Sequence, residues 1–182
     1  MKLISINVGL SREIEVQGQI VRTSIFKEAV QHRVRVTRLN LEGDKQSDLR
    51  VHGGIKKAVY IYPSEHYAYW HEQLPNADLP WGVFGENLTT EGLSEDQIHI
   101  GDELQIGSAM FRVTQPREPC YKLGLRFARA DMPKRFLQSR KTGFYVMVQQ
   151  EGEIGAGDEI KVIVHDANSP TVAQVVARIL EG

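Results

Sequence analysis

The chain contains one cysteine, Cys120, in 182 residues. That scarcity excludes an internal disulfide, a Cys-x-x-Cys redox pair and a cysteine-rich zinc site. Long apolar runs are missing as well, none approaching the ~20 residues that span a bilayer. The opening MKLISINVGLSREIEV has neither the unbroken apolar stretch nor the small-residue cleavage site of a signal peptide. A soluble, cytoplasmic protein is expected, with no membrane partner. Net charge is −1, so no bulk field selects a nucleic acid duplex. P-loop spacing, a nucleophile-elbow GxSxG and RNP-type aromatic motifs are all absent. His66 and His71 stand five apart, without the HExxH pattern of a zinc protease.

What is present is a succession of short β-rich segments, consistent with one domain. Strands are expected at 2–8, 13–16, 19–25, 33–39, 57–62, 97–100, 103–106, 109–114, 144–148 and 159–164, separated by Gly, Asp or Asn turns. Gly101-Asp102 reads as a tight hairpin between IHI and ELQI. Strands this dense favour a barrel or sandwich over a doubly wound sheet. Helices are expected at 64–74 with Ser64 as N-cap, at 121–130 and at 132–139. A last helix follows from NSPTVAQVVARIL, with Ser169 as N-cap and Pro170 at its first position. The chain therefore divides into a β domain over 1–168 and a helical tail over 169–182. That tail has to fold back on the β domain, pair with a second copy in a homodimer, or begin a helical extension.

Three stretches carry candidate chemistry. QPREPC places Cys120 just ahead of a helix, where the helix dipole and the nearby Arg117 and Lys122 favour a thiolate. The same thiol could equally be a small buried hydrophobe. His52-Gly53-Gly54 precedes Lys56 and Lys57, so paired glycines beside two cations make either an anion cradle or a plain turn into a strand. Phe84-Gly85-Glu86-Asn87 sets an amide at a turn, either on a pocket rim or for the turn's own sake. Cys120 lies in the most basic part of the chain, residues 115–141, while 84–105 holds six carboxylates and no Lys or Arg.

In order along the chain, GDKQSDLRVHGGIKKAVYIYP, VFGENLTTEGL, IHIGDELQIGSAMFRVTQPREPCYKL and KTGFYVMVQQEGEIGAGDEI resemble the MOSC family, the domain found at the C-terminus of molybdenum cofactor sulfurases. The resemblance runs from about residue 40 to residue 164 and is nearest to stand-alone bacterial members linked to resistance to 6-N-hydroxylaminopurine. It implies a mainly β fold, a closed or partly open β-barrel of mixed topology like the barrel of pyruvate kinase, with a few short helices and a C-terminal helix. It also implies the molybdenum cofactor (molybdopterin) as ligand. Cys120 would be the catalytic residue and molybdenum ligand, and His52, Gly53, Gly54, Lys57, Asn87 and Arg117 the cofactor contacts. The implied reaction is reduction of a small N-hydroxylated substrate such as 6-N-hydroxylaminopurine, with electrons from an external reductase, since no flavin, haem or iron–sulfur motif is present. No pyridoxal phosphate is expected, because the desulfurase domain of the full sulfurases has no equivalent here. Two other readings stay open: a carrier holding sulfur or cofactor on Cys120 without turnover, and an interaction barrel with an inert thiol.

Overall fold

The computed structural model describes residues 1–16, 18–45 and 53–182. The first five strands are β1 (Lys2–Val8), β2 (Arg12–Val16), β3 (Gln19–Thr23), β4 (Glu28–Val30) and β5 (Val34–Val36). A 3-10 turn (Ile55–Lys57) leads into β6 (Val59–Pro63), followed by α1 (His66–Gln73), β7 (Leu88–Glu91), β8 (Glu103–Ile106) and β9 (Ala109–Pro116). After α2 (Tyr121–Phe127) and α3 (Met132–Gln138) come β10 (Phe144–Gln150), β11 (Gly152–Ile154), β12 (Ile160–Val164) and α4 (Val172–Glu181). The protein is thus mainly β, with four α-helices among the described residues, none of them long and apolar enough to cross a membrane.

Eight strands form one mixed sheet in the order β12-β8-β9-β10-β6-β7-β1-β4, all neighbours antiparallel except β6 and β7. The expected barrel is not borne out. The ladder among the described residues ends at β12 and β4, and no sheet closes on itself. The start of β1 reaches the approach to β12 only through an isolated bridge between Lys2 and Glu159 and bonds such as Leu3 N–H to the Asp158 carbonyl at 2.9 Å. β5 pairs with β11, and β2 with β3, as two smaller sheets.

The central strand β6 is buried at every position, and its alternation decides what lies on each face. Successive strand side chains point to opposite faces, so Val59 and Ile61 enter the main aliphatic core with Leu3, Ile6, Phe111 and Val146. Tyr60 and Tyr62 point the other way, into an aromatic layer with Trp70 of α1, Phe84, Leu123 of α2 and Phe136 of α3. The α1, α2 and α3 helices thus cover one face of the sheet, and the site forms where that cover begins.

Several expectations are corrected. Residues 97–100 form no strand, only an isolated bridge from His99 to Thr171, so Gly101-Asp102 closes no hairpin; the Gly101 N–H bonds instead to the Val113 carbonyl. Helix α1 is capped at Glu65 without a side-chain bond, not by Ser64. Helix α4 begins two residues later than expected. Thr171, not Ser169, is its N-cap, because Thr171 and Gln174 form a reciprocal capping box. Pro170 precedes the helix and lends its carbonyl to the Ile100 N–H at 3.0 Å. Strands β4, β7 and β11 were not expected. Two of them are only three residues long, too short for an alternation to register.

Candidate active site

The QPREPC stretch straddles the end of a strand. Pro116 is the last residue of β9, opposite Phe144 on β10, and the Arg117 N–H extends that ladder to the Gly143 carbonyl at 3.2 Å. The chain then leaves the sheet, and Cys120 becomes the N-cap of α2 in extended backbone. Tyr145 on β10 sits directly opposite Tyr60 on β6, their ring centroids 5.3 Å apart. Cys120, Arg117 and the two tyrosines therefore gather at the point where β9, β10 and β6 meet the start of α2.

These groups line an open pocket of about 110 Å³. Its wall includes Gly53, Lys57, Asn87, Arg117 and Cys120, five of the seven residues expected at the site. Gly54 caps the 3-10 turn, accepting a bond from the Lys57 N–H, and does not face the cavity. His52 lies outside the described residues. Lys122, expected to favour the Cys120 thiolate, lines the pocket too, and nothing in the sequence pointed to Tyr60, Tyr145, Lys45, Ser24 or the Lys27–Asp44 pair, which also line it.

Arg117 is the centre of the arrangement. It is 6% exposed and forms no ion pair with a carboxylate among the described residues. Its Nη1 donates to the Phe84 carbonyl at 2.7 Å and toward Tyr60 Oη at 3.4 Å. The guanidinium stacks 4.8 Å from the Tyr60 ring centroid and 5.2 Å from that of Phe136. Burial works against its charge, but Tyr60, Tyr145 and Cys120 around it more than offset that and raise its pKa. The two tyrosines are pushed upward mainly by burial, with Arg117 opposing, so both hydroxyls stay protonated at neutral pH. The result is a buried cation facing a half-buried sulfur, with no carboxylate partner among the described residues.

The FGEN turn holds this cation in place. Fully buried Glu86 accepts from Tyr67 Oη, from Gly82 N–H at 2.8 Å, from Thr89 Oγ1 at 3.1 Å and from Phe84 N–H at 3.1 Å. Burial raises the Glu86 pKa and those bonds pull it back. Fixing Phe84 N–H fixes the peptide chain whose carbonyl receives Arg117. Gly85 faces the pocket at φ 84°, where a Cβ would come within 3.0 Å of the Ile25 side chain. Asn87 lines the pocket, but its amide is occupied: Oδ1 accepts from Tyr60 N–H at 3.1 Å and Nδ2 donates to Asp44 at 3.0 Å. It works as a brace between β6, the start of β7 and the 41–45 turn.

The opposite wall carries a buried ion pair. Lys27 Nζ bonds to Asp44, which also accepts the Gly9 N–H at 2.8 Å. Burial lowers the Lys27 pKa, and Asp44 opposes the drop. Besides that pair, the charged residues among the described lining of the pocket are Arg117, Lys57, Lys45, Lys122 and Glu118. Among the described residues no group of three or more His, Cys, Asp or Glu side chains is placed to hold a metal ion. The pocket therefore offers one sulfur and a cationic wall. It suits an anionic ligand, including a metal that arrives already held by its own cofactor.

This fold and pocket define a MOSC-domain protein: the family model matches residues 48–161, and the chain belongs to that family. Among curated relatives it is 40% identical over 161 residues to the uncharacterized protein YflK of Bacillus subtilis, covering 88% of this chain and 72% of YflK. It is 38% identical over 143 residues to protein YiiM of Escherichia coli, covering 78% of this chain and 64% of YiiM. A protein named Reductase in Gibberella moniliformis is 31% identical over 164 residues, and this chain matches only 29% of its length. The crystal structure of YiiM from Geobacillus stearothermophilus superposes with a TM-score of 0.80 at 34% identity, covering 98% of this chain and 83% of that one.

Proposed function

We propose that the chain is a molybdenum-cofactor-dependent reductase of N-hydroxylated substrates such as 6-N-hydroxylaminopurine. The observation that carries this reading is the buried Arg117, without a carboxylate partner among the described residues, facing the Cys120 sulfur across one pocket. A buried cation costs free energy unless an anion compensates it, and a phosphate-bearing, thiolate-bound cofactor supplies both complements. Cys120 would ligate the metal, molybdenum being suited to thiolate. Arg117, Lys57 and the Gly53 backbone would hold the anionic end of the cofactor. A volume of about 110 Å³ fits the metal-binding end and one oxyanion rather than a whole pterin.

When bound, the cofactor supplies the two-electron redox centre needed to reduce an N–O bond. The reduction consumes two electrons and two protons and yields an amine and water, with the electrons delivered by an external reductase. The chain's own residues orient and shield. Tyr145 keeps a neutral hydroxyl near the sulfur, Tyr60 lines the same pocket with its own neutral hydroxyl on the Thr142 carbonyl, and the aromatic layer behind Arg117 excludes water from one wall. The fungal relative's name and the YiiM relatives support the reductase reading.

The test is turnover of 6-N-hydroxylaminopurine to adenine by protein purified from a cofactor-producing host and supplied with a chemical reductant. Wild type should turn over, and Cys120→Ala should lose at least a hundredfold. Equal rates in the two would overturn the assignment of Cys120. A persulfide on Cys120 in the intact mass spectrum, with no turnover, would replace the reductase with a sulfur carrier.

A further inference from the structure

Outside the Cys120 pocket, Arg126 is the side chain whose surroundings do not account for it. It sits near the end of α2, half-buried, and its Nε is sealed from solvent without a hydrogen-bond partner. Its guanidinium lies 5.2 Å from the Phe26 ring centroid, and Arg12 lies 5.0 Å from the same ring. Burial, then repulsion from Arg12, lower the Arg126 pKa, and the carboxylates of Asp78 and Glu86 oppose this only at a distance. Arg12 has its own partner, Glu28, at 2.9 Å. Among the described residues Arg126 has no ion pair at all.

Arg126 opens onto a groove of about 500 Å³ whose other walls include Trp81, Pro80, Leu79, Glu28 and Lys27. The size is within the range of small-molecule sites, about 300–1,000 Å³. Both charges on the walls other than Arg126 are already matched: Glu28 to Arg12, and Lys27 to Asp44. Trp81 is 37% exposed, and Tyr67 packs edge-on against it at 4.5 Å, fixing the indole while leaving part of it open. An unmatched guanidinium beside a fixed, part-exposed indole is the pairing that holds a flat ring bearing a negative group.

We propose that this groove is a second binding site, for a planar aromatic anion whose ring lies on Trp81 and whose carboxylate or phosphate pairs with Arg126. The site is separate from the Cys120 pocket. Arg126 follows Cys120 by six residues, about 9 Å along the axis of α2 at 1.5 Å per residue, and the Lys27 segment stands between the two cavities.

Calorimetric titration of the full chain with benzoate, AMP, adenosine and inorganic phosphate tests this. Benzoate or AMP should bind, and adenosine, which lacks the charge, should bind at least tenfold more weakly. Benzoate binding without AMP binding assigns a carboxylate, and the reverse assigns a phosphate. Arg126→Gln and Trp81→Leu should each weaken the preferred probe at least tenfold, with thermal melts confirming that each variant folds. Should one variant fail to fold, the other carries the comparison. Cys120→Ala should bind like wild type. The proposal fails if no probe binds at millimolar concentration, if folded Arg126→Gln or Trp81→Leu binds like wild type, or if Cys120→Ala abolishes binding and so moves the site to the other pocket.

Discussion

Replacing Glu86 by glutamine removes one charge and almost no volume, yet it should destabilise the protein measurably. The two carboxylate oxygens of Glu86 receive different backbone donors, Gly82 N–H on Oε1 at 2.8 Å and Phe84 N–H on Oε2 at 3.1 Å. A glutamine amide has one oxygen and one NH2 group. Whichever way it is turned, one backbone N–H faces a donor. A buried donor left unsatisfied costs about 1–3 kcal/mol, and the removal of a buried charge returns part of that. Glu86→Gln should therefore lose about 1–2 kcal/mol. Glu86→Ala, which strands Tyr67 and Thr89 as well, should lose about 3–5 kcal/mol. Urea unfolding followed by far-UV circular dichroism reads this as a lower midpoint at unchanged slope. Because the FGEN turn positions the acceptor of Arg117, ligand binding at the pocket should weaken in parallel. A Glu86→Gln protein as stable as wild type would refute the claim that Glu86 holds this turn as a four-donor acceptor.

Three further outcomes are expected. Gly143→Ala should destabilise by several kcal/mol, since Gly143 has φ 61° and a Cβ there would come within 2.4 Å of the Ile61 carbonyl oxygen; a melting temperature within a degree of wild type would contradict this. Burial would raise the Glu95 pKa, but His66 Nε2 at 2.7 Å and the Gly143 N–H at 2.7 Å lower it below its ordinary 4.5. Its contribution is therefore present above about pH 4.5 and is lost as pH falls through the folded value, and unfolding midpoints of Glu95→Gln should depend less steeply on pH in that acidic window. Thr171→Ala should cost about 1 kcal/mol by removing the α4 cap, while leaving the pocket's chemistry unchanged; equal stability would return the cap to another residue.

Much of the site was legible in the sequence because its parts are local. QPREPC announces a stiffened chain ahead of a helix, and the structure puts Cys120 at the N-cap of that helix. Charge and turn chemistry left Lys57, Asn87 and Arg117 as open candidates that the family resemblance made cofactor contacts, and all three line the same cavity. Tyr60 and Tyr145 were missed although VYIYP and GFYV alternate as strands do, since which face meets the pocket depends on the pairing of β6 with β10. Lys27 and Asp44 gave no signal. They lie 17 residues apart in turns, and only the tertiary fold makes them an ion pair. The barrel expectation was not borne out, for a similar reason. Strand count and alternation set a mainly β fold, but closure depends on whether β12 and β1 form a continuous ladder, and the two ends meet only through an isolated bridge and a few backbone bonds between residues 1–3 and 157–160. The α4 cap was misjudged because Ser169 and Thr171 both suit an N-cap; Gln174, three residues after Thr171, completes the box.

In the proposed site Cys120 binds the metal of a cofactor anchored by Arg117. Molybdenum content of the native chain, measured by mass spectrometry on protein from a cofactor-producing host, tests it most directly. About one molybdenum per wild-type chain is expected, with little in Cys120→Ala and reduced loading in Arg117→Met, as a thiolate ligand and a cationic wall require. Equal molybdenum in wild type and Cys120→Ala would contradict it, as would metal-free wild type from cells in which a control molybdoenzyme is fully loaded.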